Sequence, residues 1–289
     1  MNIFSFKPNP LPKWNILIFA PPGNGKSLEQ ARLSEETLKE YRWIEKHYPK
    51  LPTRYLLTNQ KLNKEYICKE NKFSSEWFDA HVRLWEDAEE LKYCHRENCF
   101  KGKEIHKLHD CDLFCDEGAT LFPATAKGAD DDMPMWLKKL IAQHRHNGIR
   151  ILILTQDFMQ INIAERRCLW QSFYMHKILG SRDISPTLPP VKFIWGIYSK
   201  RMIDPELMKK DFSSILINIR TADDEKKKIM EELKLIGRPK LYWIGKHKCS
   251  LYDTTQDVKE YEIRRTIEHI EVPCKHKDCG YVHKKHLLK

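Results

Sequence analysis

No stretch of this 289-residue chain is apolar for long. The longest apolar runs, Ile16 to Ala20 and Ile151 to Leu154, fall far short of the ~18–20 residues that a spanning helix needs. The first fourteen residues hold three prolines and no apolar core, so no secretory leader is expected. Repeats of domain size and low-complexity tracts are missing too, which excludes repeat arrays and biased linkers. Without an export signal, the nine cysteines read as thiols or metal ligands of a reducing compartment, not as disulfides.

What is present suits a globular protein long enough for one large domain or two small ones. Hydrophobic residues make up 41% and charged residues 31%, outside the disordered range. Lys and Arg number 50 against 40 Asp and Glu, a net charge of +10. That excess favours acidic partners, whether nucleic acid, nucleotide or an anionic membrane; solubility alone would also account for it.

The densest signal is Ile16-Leu-Ile-Phe-Ala-Pro-Pro-Gly-Asn-Gly-Lys-Ser27. An apolar strand, a loop ending in Gly-Lys-Ser and a helical segment are the layout of a phosphate-binding P-loop. Backbone N–H groups of Gly23, Asn24, Gly25, Lys26 and Ser27 would wrap phosphates at the positive end of a helix. With the flanking Pro22 and Leu28, they form the expected nucleotide-binding stretch. Lys26 would reach the β- and γ-phosphates of ATP, and Ser27 would hold Mg²⁺. One position departs from the pattern: Ala20 stands where the first glycine is expected. Pro21 and Pro22 follow and lack N–H groups, so later residues must build the cradle alone.

Helical spacing of apolar residues predicts a helix from Lys26 to about His47, ended by Pro49 and Pro52. Strands are expected at Asn15–Ala20, Arg54–Thr58, Val82–Trp85, Asp112–Asp116 and Arg150–Thr155. A helix is expected from Met133 to Asn147, and a short one from Asn162 to Gln171. Strands then dominate, at Phe173–Leu179, Val191–Tyr198, Lys240–Ile244 and Lys248–Tyr252, with a charged helix at Ala222–Leu235. Alternating strands and helices imply an α/β fold with a mainly parallel sheet flanked by helices, followed by a β-rich C-terminal extension.

Leu113-Phe-Cys-Asp-Glu117 is an apolar strand ending in two carboxylates. Strand C-termini face the ligand crevice of a parallel sheet, so Asp116 would join Ser27 at Mg²⁺ and Glu117 would act as general base. An N-cap pair is the plainer account of those acids. Thr155-Gln156, at the end of another strand, offers a polar group for the γ-phosphate or water. Arg145, Arg166 and Arg167 are the candidate arginines for transition-state charge. Arg145 heads them, though a helix C-terminus favours a cation in any case.

These motifs, in this order, resemble the zonula occludens toxin (Zot) family, whose best-known members are assembly ATPases of filamentous bacteriophages. The likeness rests on Ala20-Pro-Pro-Gly-Asn-Gly-Lys-Ser27, Tyr55-Leu-Leu-Thr-Asn59 and Leu113-Phe-Cys-Asp-Glu-Gly118. It continues with Gln143-His-Arg-His-Asn-Gly148, Ile151-Leu-Ile-Leu-Thr-Gln156 and Leu251-Tyr-Asp-Thr254. The resemblance implies a P-loop ATPase binding Mg-ATP and a homo-oligomer. It also implies phage coat or assembly proteins as partners and a role in virion assembly or export of the phage genome. It carries Gly23, Gly25, Lys26 and Ser27 over as nucleotide ligands, Asp116 and Glu117 as metal and water residues, and Gln156 as a sensor. The filamentous-phage proteins resemble membrane ATPases with a spanning helix, which this sequence does not show. A host-cytoplasmic protein, peripheral at the inner membrane through another subunit, is the expectation. A soluble DNA-packaging translocase like the FtsK/HerA group, or a nucleotide-gated scaffold, stands as the alternative.

Two clusters have spacing suited to zinc: Cys94 and Cys99 with His106, His109 and Cys111, and Cys274 and Cys279 with His283 and His286. Their loops are too short for a standard finger, so zinc and a basic, solvated tail both stand open for the second. The expected organisation is an ATPase domain over 1–262, with a Cys/His insertion at 92–111, and a basic Cys/His tail over 263–289.

Overall fold

A computed structural model describes residues 15–51, 53–92, 108–124, 133–180, 196–210, 235–244, 251, 269–273 and 282–286. The chain divides into two compact units, Met1–Tyr252 and Asp253–Lys289.

The first unit is built on one eight-stranded sheet. Its strands in chain order are β1 (Ile16–Phe19), β2 (Tyr55–Thr58), β3 (Val82–Leu84), β4 (Cys111–Cys115), β5 (Arg150–Thr155), β6 (Gln171–Gly180), β7 (Gly196–Ile203) and β8 (Leu235–Ile244). Across the sheet they run β3-β2-β4-β5-β1-β6-β7-β8. The first six in that order are parallel; β7 and β8 are antiparallel to their neighbours. The helices are α1 (Lys26–His47), α2 (Lys64–Asn71), α3 (Ser75–His81), α4 (Met135–Gln143), α5 (Ile163–Cys168) and α6 (Pro205–Met208).

Central strands are apolar on both faces because both faces are covered. Leu17, Phe19, Leu113, Cys115, Ile151 and Ile153 pack with Leu137, Leu140 and Ile141 of α4. The alternating residues Ile16, Ile18, Phe114, Leu152 and Leu154 pack with Leu28, Ala31, Leu38 and Tyr41 of α1. Period-2 alternation thus feeds two cores from the same strands.

The long helix runs over the expected residues. Helix α4 is shorter than expected, because His144 to Asn147 form turns before Gly148 at φ 66°. Helices α2 and α3 were not expected. At eight and seven residues they are too short to show periodicity, and side-chain caps start both. Asn63 accepts from the Tyr66 N–H at 3.1 Å, and Ser74 accepts from the Trp77 N–H at 3.1 Å. Strand β7 begins at Gly196 among the described residues and runs on past the expected end to Ile203. The helix expected at 222–235 lies outside the described residues but for Leu235, which opens β8. Of the strand expected at 248–252, only Leu251 is described.

The second unit contains an antiparallel pair, β9 (His269–Pro273) and β10 (Val282–His286).

Candidate nucleotide site

Strand β1 runs between β5 and β6, and β5 separates it from β4. The C-terminal ends of all these parallel strands open on one edge of the sheet, where α/β folds place ligands. There the loop after β1 meets the ends of β4 and β5.

The loop closes without the missing glycine. Ala20 is fully buried and its N–H donates to the Thr155 carbonyl at 3.2 Å, so it continues β1 into the ladder with β5. A strand residue does not require glycine's freedom. Pro21 and Pro22 have no N–H to offer, but their carbonyls accept from Asn24 Nδ2 at 3.2 Å each. Asn24 Oδ1 accepts the Lys177 N–H of β6 at 2.7 Å, tying the loop to the sheet. Gly25 sits at φ 77°, and a Cβ there would lie 2.6 Å from Tyr198 Cε1 of β7. Both conformation and space therefore demand glycine at the helix N-terminus.

Lys26 is buried, and its Nζ donates to the Ala20 carbonyl at 2.8 Å and the Pro21 carbonyl at 3.4 Å. Burial lowers its pKa, opposed by Glu117 and Asp116. Ser27 Oγ donates to Asp116 Oδ2 at 2.6 Å, across 89 residues of sequence. Burial raises the Asp116 pKa, opposed by that hydroxyl and by the Glu117 N–H. This N–H donates to Asp116 Oδ1 at 3.0 Å. Glu117 then turns out of the sheet at φ 53°, ψ 53°, and its Oε1 accepts from Gln156 Nε2 at 3.0 Å. Gly118 follows in close contact with β5, since a Cβ there would come 2.2 Å from Ile153 Cγ2.

The structure therefore brings Lys26, Ser27, Asp116, Glu117 and Gln156 to one place. Thr155 is not part of the group: it is fully buried and its hydroxyl donates to the Asp157 carbonyl at 3.1 Å. Arg145 is not brought to the P-loop of its own chain. It follows α4 at the opposite edge of the sheet, with its guanidinium 6.0 Å from the Trp170 ring, which precedes β6. Arg166, another candidate for transition-state charge, is buried. Its guanidinium donates to the carbonyls of Ile161 at 2.9 Å, Met208 at 3.1 Å and Lys210 at 2.8 Å. Arg167 is exposed.

Four groups around the loop had no role assigned from sequence, although Asn59 closes one of the motifs behind the resemblance. Asn59 and Gln60, just past β2, bond to Asp116 and Ser27. Lys200 of β7 donates to Glu29 of α1 at 2.6 Å. With Arg32 also on this buried carboxylate, the Glu29 pKa falls to about 2 despite burial, which acts to raise it. The polar run Thr58-Asn59-Gln60 after an apolar strand was the visible signal for the first two.

The donor set fits Mg-nucleotide. A hydroxyl and a carboxylate already lie within one hydrogen bond, a buried ammonium lies beside them, and the loop is pinned where any Cβ on Gly25 would clash. Zinc is a different matter. Cys94, Cys99, His106, Cys274 and Cys279 lie outside the described residues, as do the side chains of His283 and His286 in β10. Among the described residues no group of three His, Cys, Asp or Glu is placed to hold a metal. Cys111 and Cys115 are buried in β4, and burial pushes the Cys115 thiol pKa well up. Among the described residues no helix is long and apolar enough to cross a membrane.

The family model described as Zonular occludens toxin (Zot) matches residues 22–183. No curated protein matches the chain. Among solved structures, the N-terminal domain of zonular occludens toxin from Neisseria meningitidis is similar at 17% identity. That match covers 83% of this chain and 98% of that one, with a TM-score of 0.42. The genome packaging NTPase B204 of Sulfolobus turreted icosahedral virus 2, in complex with AMPPCP, is similar at 14% identity over 80% and 96%, with a TM-score of 0.37. The flagellar accessory protein FlaH of Methanocaldococcus jannaschii is similar at 12% identity over 70% and 80%, with a TM-score of 0.35. The strand–loop–helix with its mostly parallel sheet and antiparallel C-terminal strands is a P-loop NTPase fold.

Proposed function

Since the chain belongs to the Zot family, we propose that it hydrolyses Mg-ATP to drive phage assembly or export of the phage genome. The observation that carries this reading is the 2.6 Å bond between Ser27 Oγ and Asp116 Oδ2 at the mouth of the loop. It joins the P-loop to an acid pair whose second member, Glu117, is aimed by Gln156.

In this reading the N–H groups of Gly23 to Ser27 bind the phosphates, between Pro22 and Leu28. Lys26 exchanges its two carbonyl partners for phosphate oxygens. Ser27 and Asp116 would hold Mg²⁺, which neutralises charge developing on the β- and γ-phosphates. Glu117 accepts the proton of the attacking water, and Gln156 orients both. The bond from γ-phosphorus to the bridging oxygen breaks, leaving ADP and phosphate. In a homo-oligomer Arg145, which lies away from the P-loop of its own chain, would serve the site of a neighbouring copy. The net charge of +10 suits DNA as the moved substrate; coat or assembly proteins would be the further partners.

Steady-state ATP hydrolysis by the full chain, with and without single-stranded DNA, tests this. Turnover is expected to fall by ~10²–10⁴ in Glu117→Gln with nucleotide binding kept. In Lys26→Ala both binding and turnover are expected to be lost. DNA stimulation would identify nucleic acid as what is moved. Nucleotide binding with no turnover under any condition would leave a nucleotide-gated scaffold.

A further inference from the structure

The Ser27–Asp116 pair is held from behind by two consecutive residues. The register of β2 with β4 ends at Thr58 opposite Phe114. Past that point, the Asn59 side chain takes over. Asn59 Oδ1 accepts the Asp116 N–H at 2.8 Å, and Asn59 Nδ2 donates to the Asp116 carbonyl at 2.7 Å. A carboxamide offers the same donor and acceptor as a peptide group, so this pair replaces a rung of the ladder. It keeps Asp116 aligned with the sheet while the next residue turns away at φ 53°.

Gln60 holds the other partner by one bond, through its Nε2 alone. Its backbone N–H donates to Thr58 Oγ1 at 3.0 Å, and its Nε2 donates to the Ser27 carbonyl at 2.8 Å. Gln30 of α1 donates to the same Thr58 hydroxyl at 3.0 Å, so β2 and the residue pair just past it are each bonded once to the start of α1. Every bond that Asn59 and Gln60 make to Ser27 and Asp116 goes to main-chain atoms. Ser27 Oγ and the Asp116 carboxylate are thereby positioned without being occupied.

We propose that Asn59 and Gln60 are positioning residues of the metal site, setting the separation of Ser27 Oγ from the Asp116 carboxylate and so the affinity for Mg²⁺. This rests on the nucleotide reading of the site. Outer groups that orient metal ligands commonly carry ~10–100-fold in metal affinity.

The test is Mg²⁺ titration of the full chain with a fluorescent, non-hydrolysable ATP analogue. Asn59→Ala is expected to bind the analogue in EDTA as the wild type does. Its Mg²⁺ midpoint is expected to rise at least ~10-fold, and Gln60→Leu should move it in the same direction. Asn63→Ala, which removes the cap of α2 away from the site, should leave the midpoint in place; a purely structural effect would not separate these variants. Circular dichroism checks the fold, and if Asn59→Ala does not fold, Asn59→Ser and Gln60→Leu give the readout. Folded variants at Asn59 and Gln60 with midpoints within about twofold of wild type would overturn the inference, since the expected span is ~10–100-fold. A wild-type chain that binds no analogue would overturn the nucleotide reading itself, a different result from an unmoved midpoint.

Discussion

Single residues in this protein are most revealing where they are buried and polar. Glu165 of α5 is fully buried, and burial alone raises its pKa to about 8. Asn15 Nδ2 donates to its Oε1 at 3.4 Å, while Glu165 Oε2 and Asn15 Oδ1 are both buried acceptors without a donor. Protonation of Glu165 gives this amide–acid pair the hydrogen that it lacks. Because the folded-state value lies above the unfolded one, near 4.5, the folded chain binds more protons between them. Stability is therefore complete below about pH 4.5 as far as this group is concerned, and it is lost as pH rises toward 8. Denaturant midpoints measured from pH 5 to 9 should fall in the wild type and fall less in Glu165→Gln, which is neutral at every pH. A variant with the same slope as wild type would show that Glu165 is not the source. Nothing in the sequence signals this proton, since the short helix expected from Asn162 to Gln171 gives no reason to bury its one carboxylate.

At the scale of elements, the two ends of β4 do different work. Its C-terminal end presents Asp116 to the P-loop. Its N-terminal end buries Asp112 completely, between Arg54, Arg150 and the hydroxyl of Tyr41, which donates to it. Arg150 also reaches Glu40 of α1 at 2.9 Å. Burial would raise the Asp112 pKa, but the two guanidiniums hold it well below the usual carboxylate range. Asp112→Asn leaves two half-buried cations short of their shared counter-charge, which costs up to ~3–5 kcal/mol by analogy with broken buried pairs, less what Glu40 still offsets at Arg150. Urea unfolding should show that loss, while nucleotide binding at the other end of the strand survives in the folded fraction. The wild-type contribution is present above the usual carboxylate pKa and fades on acidification, the opposite sense to Glu165. From sequence, Asp112 reads only as a polar residue opening an apolar strand. Its partners come from positions 41, 54 and 150, and proximity of that kind is not written in spacing.

For the whole molecule, β6 and the antiparallel β7 are joined to the nucleotide loop more than their place toward the sheet's end suggests. Asn24 bonds β6, Gly25 packs on Tyr198 of β7, and Lys200 of β7 pairs with Glu29 of α1. The extension thus braces the loop. The opposite edge of the sheet carries Arg145 over Trp170. If Arg145 completes a neighbour's site, mixing two inactive variants should restore turnover. A Lys26→Ala subunit supplies its intact Arg145 to the intact P-loop of an Arg145→Ala subunit. Activity of the mixture above the sum of the separate proteins would show the shared site, and strict additivity would exclude it.

Local chemistry determined much of this from sequence alone. Apolar runs bounded by turns defined β1, β4 and β5, helical spacing defined α1, and Gly23-Asn-Gly-Lys-Ser27 defined the loop, because those signals act between neighbours in the chain. They also implied which strand ends would gather, since parallel strands point their C-termini the same way. The tertiary structure alone decided which polar groups meet. It placed Asn59 and Gln60 behind the metal-facing pair. It buried Arg166 among carbonyls and carried Arg145 to the far edge. Those outcomes depend on contacts between distant segments, such as Gln60 with Ser27 at 33 positions, Arg166 with Met208 at 42 and Asn59 with Asp116 at 57. A hydrogen bond or a desolvated charge responds to distance in space, which only the packed sheet sets.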